Sequence, residues 1–181
     1  YFTGDLREIS LSGEAYFKVA KENTRPFCVR SGEYCLKVYG TEFNLNTYDE
    51  ENIEAVLVKG SVGFQANEAA PEKRLKVNQL GVANSKAGTS VIQDVDVTSY
   101  IAWKNHDLIF VNEELESIMK KVSRWYDVNI IFEDEVSKAV RFNGNIPKYA
   151  ELEKLLYVME KTSDVRFRIT DKTIRITKRK K

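Results

Sequence analysis

Apolar and polar residues alternate one for one through most of the first half of this chain, and the pattern changes near residue 107. Leu6 to Leu11 and Glu14 to Ala20 alternate around Ser12-Gly13, a dipeptide suited to a hairpin turn. Phe27 to Arg30 and Tyr34 to Tyr39 flank Ser31-Gly32-Glu33. Glu42 to Tyr48, Ile53 to Val58 and Ser61 to Gln65 follow, with weaker candidates at Leu75 to Val77 and Gln79 to Ala83. Glu50-Glu51-Asn52 and Asn67 to Pro71 are polar enough for exposed loops. Turn signals recur about every ten residues, which fits a sandwich, a roll or a short solenoid alike.

From Asp107 the period lengthens. Leu108 to Val111 predicts a strand, with Asn112 as the helix N-cap and Glu113 and Glu114 in the first turn. Leu115, Ile118, Met119, Val122 and Trp125 then recur at three- and four-residue steps, the mark of an amphipathic helix. Val128, Ile130 and Phe132 alternate as the next strand. The same phrase returns 37 residues later. Leu115-Glu116 matches Leu152-Glu153, Ile118-Met119 matches Leu155-Leu156, Val122 matches Met159, and Asp127-Val128 matches Asp164-Val165. Ile130 and Phe132 match Phe167 and Ile169, and Asp134 matches Asp171. A strand at Val140 to Asn145 precedes the second copy, and Thr173 to Thr177 closes it. A β-α-β unit is therefore expected twice. Neither helix can hide its apolar stripe alone, so two helices are expected on one sheet. We expect an α+β multidomain chain: an all-β domain over residues 1–87, a linker over 88–99, and the β-α-β repeat over 100–181. The aromatic stretch Tyr100-Ile101-Ala102-Trp103 is expected at the joint.

The two cysteines lie within the second predicted hairpin. If Ser31-Gly32 is a two-residue turn, Arg30 faces Glu33, Val29 faces Tyr34 and Cys28 faces Cys35. Opposed residues of an antiparallel pair have Cα atoms about 4.5–5.5 Å apart, within disulfide range. A bridge implies an oxidising compartment such as the periplasm. Two free thiols on a strand surface are the other reading, and a three-residue turn would separate them.

Composition narrows the function classes. Of 181 residues, 43% are hydrophobic and 30% charged, with a formal net charge of +1. That charge supplies no global field to recruit nucleic acid or an anionic membrane. No apolar run approaches the roughly 20 residues that span a bilayer. The opening Tyr1-Phe2-Thr3-Gly4 resembles the middle of a protein, so a longer parent chain is expected and missing targeting signals say nothing about location. There is one histidine, His106, and any Ser-His or Cys-His chemistry would have to run through it. The sequence has no Gly-rich phosphate loop and no metal-spaced cluster, so neither a cofactor nor catalysis is expected. The basic tail Lys178 to Lys181 is expected to be a solvated terminus. In the last predicted hairpin, turning at Asp171-Lys172, Val165, Phe167, Ile169, Ile174 and Ile176 point inward, and Arg166, Arg168 and Arg175 share the outer face. Those arginines either protect an edge strand against aggregation or select an acidic partner for it.

Gly13 to Val19, Arg25-Pro26-Phe27, Gly40 to Leu45 and Val58 to Val62, in that order, resemble the FecR family over most of residues 5–85. Tyr100 to Lys104, Leu108 to Phe110, Leu115 to Met119 and Arg124 to Val128 resemble the small C-terminal domain of FecR-like proteins from Bacteroidetes, which is similar to the short domain that opens secretins and TonB-dependent transporters. Val38-Tyr39 before Gly40-Thr41, and Asn78 to Gly81 where a Pro-Gly turn is common, depart from the family pattern. The resemblance implies the periplasmic portion of a transmembrane anti-sigma factor. Its implied partner is the N-terminal signalling domain of a TonB-dependent outer-membrane transporter. An ECF sigma factor would be reached only through a cytoplasmic segment outside these residues. The competing class is a periplasmic or surface carbohydrate-binding or adhesion module, which displays exposed aromatics, whereas Trp103 and Trp125 are expected to be packed.

Overall fold

The computed structural model describes residues 2, 4–49, 51–67, 69–84, 86–147 and 149–179. Glu50 and Glu68 of the predicted loops, and Lys180 and Lys181 of the predicted tail, lie outside them. The chain forms two compact units, Tyr1–Ile101 and Ala102–Lys181.

In the first unit, β1 (Arg7–Ser10) lies parallel to β3 (Phe27–Ser31), which pairs antiparallel with β4 (Tyr34–Val38). A second sheet takes β2 (Glu14–Lys18), β5 (Glu42–Asn46), β6 (Asn52–Lys59), β9 (Gln79–Asn84) and β10 (Thr89–Asp94), in the order β10-β9-β6-β5-β2. Two short strands, β7 (Val62–Phe64) and β8 (Lys73–Leu75), pair with each other. The sheets share one apolar core built from the alternating inward positions: Val29, Leu36, Phe43, Leu45, Leu57 and Phe64 are all buried there. Phe17 stacks on Phe43 with ring centroids 5.0 Å apart. A short helix, α1 (Val97–Ile101), ends the unit.

Three local expectations need correction here. Ser12-Gly13 is not a hairpin, because β1 and β2 belong to different sheets. Gly13 has φ +111° and is pinned to the end of β5: its N–H donates to the Thr47 hydroxyl at 3.0 Å, and its carbonyl accepts from the Thr47 N–H at 2.8 Å. The chain crosses between sheets at that point, a job suited to glycine. Residues 88–99, expected as a linker, hold β10 and the start of α1. β10 is an edge strand paired only with β9, and Val91 is 60% exposed. Only Ile92 of this strand packs against the core, and the exposed Val91 beside it breaks the alternation, so the sequence signal was weak. The third correction is the turn between β3 and β4. Ser31 pairs with Tyr34, so Gly32-Glu33 forms the turn: the turn moves by one residue and every cross-strand partner by two.

The second unit contains the β-α-β repeat. β11 (Asp107–Glu114), α2 (Leu115–Tyr126) and β12 (Asn129–Phe132) are followed by β13 (Arg141–Pro147), α3 (Leu152–Lys161) and β14 (Val165–Thr170), and β15 (Thr173–Lys178) closes it. β11 and β13 form an antiparallel two-stranded sheet; β12, β15 and β14 form a three-stranded one, in that order. The repeat's strands are thus divided between two sheets, and both helices bury their stripes in one core. Leu115, Ile118, Met119 and Val122 of α2 meet Leu155, Leu156 and Met159 of α3 there, with Ile174 and Ile176 of β15. Trp125 is half-buried against the same core. Overall the chain is α+β: a β-rich first region and a mixed second module.

Asn112 is not the N-cap of α2. β11 continues to Glu114, and Asn112 occupies a bulge at φ +48°. Its N–H donates to Asn143 Oδ1 at 2.8 Å, and its carbonyl accepts from Arg141 Nη1 at 2.6 Å. Asparagine tolerates the left-handed region, which makes it as apt for a bulge as for a cap.

Candidate functional site

Arg166, Arg168 and Arg175 come together on one face of the three-stranded sheet. Thr170 pairs with Thr173, so Asp171-Lys172 is a two-residue turn with Asp171 at φ +51°. The period-two pleat then turns Val165, Ile174 and Ile176 into the core, while all three arginines are exposed on the opposite side. Arg168 and Arg175 are direct cross-strand neighbours, and Ile131 of β12 sits beside Arg175 on its other flank. A row Ile131, Arg175, Arg168 therefore crosses the face from edge to edge. Arg175 belongs to the central strand, not to an edge, and its guanidinium lies 3.8 Å from the Glu133 carboxylate. Arg166 and Arg168 stand on the edge strand β14.

The two edges of this sheet are treated differently. On β14, the outward-directed N–H of Phe167 donates to Glu160 Oε1 at 2.6 Å, so a carboxylate from α3 occupies that edge. On β12, Asn129 donates to the Lys172 carbonyl at 2.7 Å and Glu133 to the Ile176 carbonyl at 2.8 Å. Odd-numbered residues therefore pair with β15, and the backbone groups of Ile130 and Phe132 are directed away from the sheet. A cleft of about 420 Å³ runs beside them, lined by Glu116, Lys120, Ser123 and Arg124 of α2 together with Asn129, Ile130 and Phe132. Sequence reading did not single out this cleft. The available signal was Ile130-Ile131-Phe132, an apolar triplet that breaks strict alternation and leaves Ile131 on the outer face.

Two carboxylates hold the ends of the site in place. Asp134 accepts the Lys178 N–H at 2.6 Å and the Ser137 N–H at 2.7 Å. These backbone donors, Lys178 first, hold its carboxyl below the usual aspartate range. Asp127 pairs with the Lys172 ammonium across the hairpin turn, and that hydrogen bond lowers its carboxyl likewise.

The cysteines lie in the other unit. Cys28 and Cys35 are joined through their sulfurs, with Cα atoms 6.0 Å apart. They are diagonal rather than opposed: Cys28 faces Lys37, and Cys35 faces Arg30. Arg30 pairs not with Glu33 but with Glu8 on β1, in a two-point contact at 2.8 and 3.1 Å. His106 is exposed at a turn with φ +63°, its ring 5.7 Å from that of Tyr149. Among the described residues no group of three or more His, Cys, Asp or Glu is placed to hold a metal ion. None of their helices is long and apolar enough to cross a membrane.

Two family models match the chain in order. The model described as FecR protein covers residues 2–63, and the model described as FecR, C-terminal, covers residues 107–176. The chain belongs to the FecR family. Two crystal structures of a candidate anti-sigma factor from Parabacteroides distasonis share the fold of this FecR-family chain, with TM-scores of 0.85 and 0.84. Each is 25% identical in sequence, and each alignment covers 99% of this chain and 84% of the other. No match was found among curated proteins. The match to the second FecR model spans α2, β12, the residues of the cleft and all three arginines.

Proposed function

We propose that this FecR-family chain is the sensing portion of an anti-sigma factor, and that it relays the state of a TonB-dependent outer-membrane transporter to an ECF sigma factor through protein–protein contacts. The observation that carries the reading is the ordered match of both FecR models, on a fold shared over nearly the whole chain with a candidate anti-sigma factor. The Cys28–Cys35 link agrees with a periplasmic setting, where such bonds persist. A signal of this kind requires surfaces and a change of state, and no bond chemistry.

The transporter's N-terminal signalling domain is the partner, and the arginine face is its docking surface. Three exposed guanidiniums against one carboxylate, Glu133, select an acidic complement. The test is Arg166→Glu combined with Arg168→Glu and Arg175→Glu, titrated with that transporter domain by calorimetry. Affinity is expected to fall at least about tenfold, in line with the cost of placing like charges together. Unchanged affinity clears the face of any role. Sigma-factor binding is assigned to a cytoplasmic segment outside these residues.

A further inference from the structure

Edge strands with free backbone groups are templates for a further strand, and proteins ordinarily block them. In the second unit one edge of the three-stranded sheet is blocked, by Glu160 bonded to the Phe167 N–H of β14. The opposite edge is not blocked in this way. Ile130 and Phe132 of β12 direct their N–H and C=O groups into the cleft beside α2, and no described side chain bonds to them. At the start of this strand the Ser123 hydroxyl donates to the Val128 carbonyl at 2.6 Å. The free stretch is thus bounded by Val128, held by Ser123, and begins two residues later at Ile130, since Asn129 pairs with Lys172. It is also apolar, with Ile130 and Phe132 half-buried and Ile131 39% exposed on the outer face. An apolar edge with open hydrogen-bonding groups is an aggregation hazard unless something covers it.

We propose that β12 is a docking edge, which receives one extended segment of the partner as an added strand lying in the cleft under α2. The inference rests on the function proposed above and specifies how the partner is held. Main-chain pairing to Ile130 and Phe132 supplies affinity, and the cleft walls supply selection. Lys120 and Arg124 stand on the wall with one carboxylate, Glu116, which itself interacts with the Lys138 ammonium. The wall is net positive, so the segment that fits carries a carboxylate toward α2 and an apolar residue toward Ile130 and Phe132. The arginine face is continuous with this edge through the row Ile131, Arg175, Arg168. One acidic partner domain would then contact the face while its edge strand extends the sheet.

The experiment follows backbone amide exchange by NMR in the whole chain, with the transporter's N-terminal signalling domain as the added probe. The amides of Ile130 and Phe132 are expected to slow more than about tenfold on binding, since they gain acceptors and lose water. Lys120→Gln changes an exposed helix position to another good helix former, and should weaken binding severalfold with Tm little changed. Binding with those two amides unchanged overturns the docking edge and leaves the proposed function standing. No binding by the parent chain removes both. Slow exchange at Ile130 and Phe132 before any probe is added, with a dimeric mass in sedimentation, overturns the proposal in favour of a second copy of this chain as occupant.

Discussion

At the scale of single residues, charge and hydrogen bonding set two measurable effects. The folded pKa of Asp134 is depressed by the Lys178 and Ser137 N–H groups. Its carboxylate therefore stabilises the second unit above the ordinary aspartate range, near pH 4, and that contribution is lost as pH falls through the lower folded value. Asp127, held down by Lys172, acts with the same sign. The thermal stability of the second unit should thus fall on acidification below about pH 4, and Asp134→Asn should flatten that dependence while lowering Tm at neutral pH. Glu160 is the second case. Glu160→Ala leaves the Phe167 N–H of β14 without its carboxylate and should cost about 1 kcal/mol in denaturant unfolding. It also uncovers the edge, so self-association should rise in sedimentation. The sequence shows Asp134 and Glu160 as ordinary loop and helix charges, because their value lies in backbone groups 44 and 7 residues away.

At the scale of elements, the two long helices and most strands were legible, and the edge strand β10 was not. The stripes of α2 and α3 repeat because each helix must bury three or four side chains against the same core, and burial imposes a period. Ile118→Asp or Leu155→Asp places an unpaired charge in that core and should cost several kcal/mol. A variant that melts like the parent would show the helix face to be misassigned. The first unit has a comparable test at Gly81 on β9. A Cβ there would lie 2.7 Å from Phe64 and 2.8 Å from Leu75, both buried, so Gly81→Ala should cost about 1–3 kcal/mol by overpacking. β10 shows the opposite situation. Apart from Ile92, which packs on the core, its residues answer to a neighbouring strand's backbone, and backbone pairing leaves no trace in side-chain type.

At the scale of the whole molecule, each unit encloses its own core, and the link Cys28–Cys35 lies wholly in the first. Reduction should lower the first unit's unfolding temperature and leave the second's unchanged. For so short a loop the loss is about 2 kcal/mol on a chain-entropy account. Calorimetry with and without reductant checks it, through two transitions of which one moves. Hydrophobic period, repeat offset and turn residues determined by themselves that a β-rich region precedes a twice-used β-α-β unit, and that Arg166, Arg168 and Arg175 share a face, since all of these are short-range consequences of where side chains point. Tertiary structure alone decided that Gly13 crosses between sheets, that β12 lies parallel to β15, that one edge of the sheet is closed by Glu160 and the other opens into a cleft, and that Cys28 stands diagonal to Cys35. Those outcomes depend on which distant backbone groups become neighbours, and a two-residue shift of pairing such as that between β3 and β4 keeps every side chain on its face while changing every partner.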